Sequence, residues 1–210
     1  MQKKIFVSAV ILSAIVFCAA CVTMFAACKN DPNKGRIPFS PQSGIYEVML
    51  KPDLQWAIMD SQGVNSLSIY NTAILGNDIA LMVTIDCYGK TDLANLNVSD
   101  IDSFMKFYKT FDYIKGIYEN DQNTAADPVA LSAADLKNTQ LKSGKSQEIS
   151  IKNTNDGTTT NSTSEFIYLE TQNYYFAVSY NIPNENLTDD VKNAVNDVIF
   201  HIQENQAATT

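Results

Sequence analysis

Four cysteines, one histidine and 23 carboxylates are the residues of this 210-residue chain with the chemistry to catalyse or to ligate. His201 stands alone. A zinc site draws on several His or Cys ligands, and Cys87, the one thiol of the globular part, is far from it in sequence. As a catalytic base His201 has no conspicuous serine near it, and the Gly-x-Ser-x-Gly, phosphate-loop and dinucleotide patterns are absent. Cys18-Ala19-Ala20-Cys21 has the spacing of a redox or metal pair but lies inside an uncharged apolar run, where it reads as part of that run. Asp100/Asp102 and Asp189/Asp190 fall where helix starts attract negative charge, so capping explains them better than acid–base work. The stretch 152–157 is shaped like a calcium loop, yet its first and third ligand positions are Lys152 and Thr154. Asn97, Asn161 and Asn186 head Asn-x-Ser/Thr triplets that read as accidents of an Asn-rich chain. No catalytic, metal or cofactor residue is assigned, and the expectation is a protein without catalytic activity or cofactor.

The amino terminus is an address. Lys3 and Lys4 precede residues 5–27, which carry no charge, and a polar segment starts abruptly at Lys29. This is the layout of an export signal. At ~1.5 Å per residue the run would also reach across a bilayer, so an uncleaved anchor is a rival reading, as is plain cleavage. Small Ala26 and Ala27 before Cys28, at the point where hydrophobicity stops, resemble the lipobox of bacterial lipoproteins. That resemblance implies diacylglyceryl attachment at the Cys28 sulfur and cleavage before it. The chain would then sit lipid-anchored on the outer side of the cell membrane or in the outer membrane. Cys21 is a weaker alternative, because apolar residues continue beyond it.

Charge narrows the partners. Fifteen basic residues against 23 acidic ones give −8, with Arg36 the single arginine. Nucleic-acid binding needs a basic face and is not expected. A protein or small-molecule ligand in the envelope is the partner class that is left.

Periodicity then places the elements. Residues 28–44 read as a polar tether punctuated by Pro and Gly, with the domain running over 45–204 and a tail at 205–210. Residues 79–88 alternate most clearly, with Ile79, Leu81, Val83, Ile85 and Cys87 on one face, so Cys87 is expected to be a buried, inert thiol without a disulfide partner. Ser99 is expected to cap a helix whose apolar stripe runs from Ile101 to Tyr118. Shorter strands follow at 147–152, 166–170 and 174–181, and Thr188 caps a closing helix with Val191, Val195, Val198 and Ile202 as its stripe. Residues 153–164, rich in Thr, Asn and Ser around Asp156-Gly157, read as a mobile hairpin tip. The order is three strands and a helix, twice, hence an α+β fold with a single antiparallel sheet of about six strands packed with two main helices.

A strand running into Trp56, strands up to Tyr88, a helix from Ser99, a strand through Tyr174 and Tyr180 and a helix from Thr188 resemble the PsbP-like fold over about residues 45–203. Relatives of that kind mostly act as scaffolds or binding proteins, so the resemblance implies a binding or scaffold role and carries over no site residue. The alternative is a cell-envelope hydrolase with a carboxylate site. The second face of the main strands, with Met82, Tyr88 and Tyr175, would be a recognition surface if no helix covered it; a helix-covered second core layer is the preferred expectation.

Overall fold

The computed structural model describes residues 33–59, 63–75, 80–132, 134–155 and 158–205. The export segment with Cys18, Cys21 and Cys28, the Asp156-Gly157 tip and the tail beyond Asn205 lie outside the described residues. The chain divides into two compact units, Met1–Gly35 and Arg36–Thr210. Of the first, only the turn at 33–35 is described.

The second unit opens with strand β1 (Ile37–Phe39), which pairs antiparallel with β2 (Tyr46–Leu50). The segment read as a structureless tether to residue 44 therefore contributes a strand. Three residues around Pro38 are too short to alternate, and backbone pairing to β2 does the holding. Gly44, at φ 63, completes the turn into β2, a conformation that needs glycine's freedom. The last strand, β11 (Ile202–Glu204), pairs with the other edge of β2 and makes a small three-stranded sheet.

Between these ends lie β3 (Ala57–Met59), β4 (Ser66–Asn71), β5 (Leu81–Gly89), β6 (Thr124–Ala125), β7 (Val129–Ala130), β8 (Ser143–Asn155), β9 (Thr158–Glu170) and β10 (Tyr174–Pro183). They form one eight-stranded antiparallel sheet in the order β3-β4-β5-β10-β9-β8-β6, with β7 also on β8. The expectation of one six-stranded sheet is thus corrected to two antiparallel sheets. The extra strands have two or three residues each, too few for any periodicity to show.

Four helices are described: α1 (Lys90–Ala94), α2 (Ile101–Tyr108), α3 (Asp112–Glu119) and α4 (Asp189–Phe200). The first face of the large sheet is mainly aliphatic, with Leu67, Ile69, Val83, Ile85 and Val178, joined by the Phe176 and Tyr180 rings, packed with residues of β2 and α4 into one buried cluster. Each such side chain, fully buried, is worth about 1.5–3 kcal/mol. Cys87 belongs to this face and is buried, as its alternation with Ile85 requires. The second face is aromatic: Phe166, Tyr168 and Tyr175 meet Phe104 and Tyr108 of α2 and Ile114 of α3.

Three boundaries differ from the periodic reading. Asp100, not Ser99, caps α2: its carboxylate accepts from the Ser103 N–H at 2.7 Å while Ser103 Oγ accepts from the Asp100 N–H at 3.0 Å. The single helix expected to Tyr118 breaks after Tyr108, where Thr110 Oγ1 donates to the Phe107 carbonyl at 2.7 Å. Phe111 turns extended there and stacks on Tyr88 at 5.9 Å, so tertiary packing overrides a stripe that continues in phase. Ile202, placed on the α4 stripe from sequence, lies in β11, with Ala194 and Ile199 completing the buried face of α4.

Finally, residues 153–164 are mostly strand. Pairing between β8 and β9 continues outward to Asn155 opposite Thr158, and Asp156-Gly157 lies outside the described residues.

Candidate functional site

Two-residue alternation sorts the second face into a covered and an open half. Along β5 it presents Tyr88, Asp86, Thr84 and Met82 in turn, and across it β10 presents Tyr175, Ala177, Ser179 and Asn181. Under α2 the side chains are aromatic and buried, with Phe104 stacked on Tyr175 at 4.9 Å. Beyond α3 the face turns to hydroxyls and amides, and Met82 is 45% exposed. The short helices leave this end of the sheet uncovered, so the face is neither the fully open surface nor the fully covered layer that the sequence suggested as alternatives.

A groove of about 170 Å³ lies along the boundary. Its floor is Thr84, Ser179, Asn181 and Ser164 from three adjacent strands, and its wall is Tyr108, Tyr113 and Ile117. Thr84 and Ser179 are direct cross-strand partners. Ser68, buried beside them on β4, shares a hydrogen bond with Thr84 Oγ1 at 3.1 Å and so fixes that hydroxyl. Asn181 Nδ2 donates to Ser164 Oγ at 2.7 Å. Tyr113, in the first turn of α3, is 77% exposed, an unusual place for an aromatic ring of this size.

Asp86 is the electrostatic centre. Tyr108 Oη donates to Asp86 Oδ2 at 2.7 Å. Burial, and then the Asp86 carboxylate, push the Tyr108 hydroxyl far above the phenol range, so it stays a neutral donor. Burial raises the Tyr88 hydroxyl in the same way, with Asp86 adding to it. Asp86 also lines a second cavity of about 330 Å³, where Gly63, Asn65 and Ser66 of the approach to β4 face Asp92 and Leu93 of α1. Ser66 sits directly opposite Asp86 across the strands, and its buried Oγ has no hydrogen-bond partner among the described residues.

Of the residues singled out from sequence, Met82 lines the groove and Tyr88 the adjoining cavity, while the histidine and the capping acids are placed elsewhere. His201 caps the end of α4, its Nδ1 2.7 Å from the Asp197 carbonyl oxygen. Asp189 and Asp190 occupy the first turn of α4 behind Thr188, which accepts from the Val191 N–H. Cys28 lies outside the described residues. Asp86, Thr84, Ser179, Asn181 and Tyr113 are site residues that sequence reasoning misses. The available signal is the switch, on the second face of β5 and β10, from aromatic to hydroxyl and amide at every second position.

Carboxylates group in two other places. Asp53, Asp190 and Asp197 line a depression of about 480 Å³ beside α4, but both Asp197 oxygens accept from the Arg36 guanidinium at 2.8 Å. Glu148 and Glu165 oppose each other across β8 and β9, with Tyr180 donating to Glu165 and Lys192 3.6 Å from Glu148. Neither glutamate lines the groove. Among the described residues no three His, Cys, Asp or Glu side chains gather closely enough to hold a metal ion.

No family model matches the chain, and no curated protein matches it. A crystal structure from Bacteroides thetaiotaomicron is similar at 16% identity and a TM-score of 0.44, covering 82% of this chain and 49% of its own. This chain thus spans about half the length of that protein. LpqN of Mycobacterium tuberculosis, described as involved in cell envelope biogenesis, is similar at 11% identity and a TM-score of 0.43, covering 84% of this chain and 87% of its own. Likeness at this distance transfers no function. No helix among the described residues is long and apolar enough to cross a membrane.

Proposed function

We propose that the protein is a lipid-anchored, extracytoplasmic binding or scaffold protein without catalytic activity, tethered through Cys28 and receiving its ligand in the groove beside Tyr113. The observation that carries this reading is the polar floor and aromatic wall left open beside the helix-covered part of the sheet face. A few placed polar groups beside apolar walls are the composition of a recognition site. Among the described residues Asp86 is the one carboxylate lining the groove, with Asp92 in the adjoining cavity, so the groove itself lacks the facing pair that a two-carboxylate hydrolysis uses. We further infer kinship with PsbP-like domains from the order of strands and helices, the small three-stranded sheet being an addition to that plan.

The test is a photo-crosslinking residue at position 113 of the full chain in intact cells. A captured partner that disappears when Thr84→Val or Asp86→Asn is added supports the reading; capture that is absent or indifferent to both variants overturns it. The anchor is tested separately by metabolic labelling with a fatty-acid analogue. Cys28→Ala abolishes labelling and leaves the precursor unprocessed, whereas equal labelling of wild type and variant would move the acceptor elsewhere.

A further inference from the structure

Asp86 lines both the groove and the cavity beside α1. Three properties of the track that the two would make bear on what fits it. First, most of its polar groups are hydroxyls or amides: Asn65 and Ser66 at one end, Thr84, Ser179 and Asn181 at the other. Such groups both donate and accept, and so match ligands that do the same. Second, among the described residues the charged side chains lining it are Asp86 and Asp92, and no Lys or Arg lines either cavity. A phosphate, sulfate or uronate would be brought against carboxylate with no compensating cation, a juxtaposition that disfavours binding. Third, Tyr113 stands at its rim with 77% of its surface open, a flat apolar plate beside hydroxyls.

A ligand that satisfies all three is amphipathic within each unit, with C–H faces to lie on an aromatic ring and an equatorial rim of hydroxyls. The smaller cavity, about 170 Å³, has the volume of a single pyranose ring, and the adjoining one has room for more. Resting on the binding role argued above, we propose that the track from Ser66 through Asp86 to Asn181 is a subsite series for a neutral glycan chain. Tyr113 is its stacking platform, and Thr84 and Ser179 are hydrogen-bonding partners of the sugar hydroxyls. Ser68 acts on Thr84 as a positioning residue through their shared hydrogen bond.

The test is binding of the fluorescently labelled full chain, held in a zwitterionic detergent free of sugar headgroups, to an array of neutral and acidic oligosaccharides. The expected result is retention on neutral members, at least tenfold less on uronate or sulfated members, and a tenfold loss in Tyr113→Ala and in Thr84→Val. Tyr113→Ala removes an exposed ring, and Thr84→Val keeps the shape while giving up the Ser68 hydrogen bond; circular dichroism and a melting curve check that each variant is folded at the assay temperature. Absence of retention on any neutral glycan, a preference for acidic ones, or retention indifferent to both variants overturns the proposal. If the array is blank while crosslinking at position 113 still captures a partner that is lost with Thr84→Val, the glycan assignment falls and the binding role stands. If both are blank, both fall.

Discussion

The two faces of the large sheet solve the same covering problem differently. The first is mainly aliphatic, its few polar rings each turned to a single partner (Tyr46 Oη donates to the Ile85 carbonyl at 2.9 Å and Tyr180 to Glu165), and α4 with β2 closes over it. The second is built from rings that carry hydroxyls, and each buried hydroxyl demands a partner. Tyr108 finds Asp86, and Tyr118 donates to Gln147 at 2.8 Å. The first of these pairs is where the dry core stops and the groove begins. An aliphatic face can close completely, whereas a tyrosine-rich face carries its own polar border, and here that border is the site.

The comparison is broken most severely at Phe104, fully buried between Tyr175 and Tyr168. Phe104→Ala is expected to cost about 3–5 kcal/mol in urea unfolding, as large a loss as any in an aliphatic core. A cost under about 1 kcal/mol would mean that α2 only rests on the second face.

The next largest effect lies on the first face, at Asp197. Burial alone would raise its carboxyl, but the Arg36 hydrogen bonds and charge outweigh this and hold it below the usual carboxylate range. Asp197→Asn should cost about 1.5–3 kcal/mol at neutral pH. Because the folded value lies below the unfolded one, this contribution is present above about pH 4 and is lost as the pH falls further. Acid-unfolding curves of the wild type and the Asp197→Asn variant that stay equally far apart down to about pH 2 would refute the assignment.

Cys87 sharpens the comparison more gently. Burial pushes its thiol far up, so reaction with a thiol reagent should follow global unfolding, and Cys87→Ala should cost about 1–2 kcal/mol. Fast labelling of the native protein would show that the first face opens.

The smallest effect has the opposite sign of pH dependence. Burial raises the Glu165 carboxyl above the ordinary glutamate range, against the hydrogen bond from Tyr180 that lowers it. A raised acid contributes most when protonated, so its contribution is full below about pH 4.3 and is lost as the pH rises through the folded value. Glu165→Gln keeps the acceptor for Tyr180 and should change stability at about pH 7 by no more than about 1 kcal/mol, towards stabilisation. It should also flatten the melting temperature between about pH 5 and 7; an unflattened profile would assign the titration to another group.

Long one-faced elements were legible in the sequence. The alternation from Leu81 to Cys87 and the Thr188 cap are local patterns whose outcome tertiary structure does not change. The break at Thr110 was not legible, because Phe111 and Ile114 keep the helical phase while Phe111 packs on Tyr88 from a different backbone conformation. The outer parts of β8 and β9 were hidden by composition: Thr and Asn favour turns, yet here they pair with each other along a two-stranded ribbon. The groove was hidden for a third reason. Thr84, Ser179 and Ser164 are ordinary residues one at a time, and only the strand order β5-β10-β9 sets them side by side.

The chain's one arginine has a mechanical reading. Arg36 opens the second unit, and its guanidinium is pinned by two oxygens of Asp197 on α4 and by the Met49 carbonyl of β2 at 3.1 Å. Any tension arriving along the preceding chain meets this rivet before it meets the strands. The load is shared at once between a helix and a sheet, so the hydrogen bonds of the three-residue β1 need not resist peeling alone. The fold carries a strain relief where a cable would enter its housing.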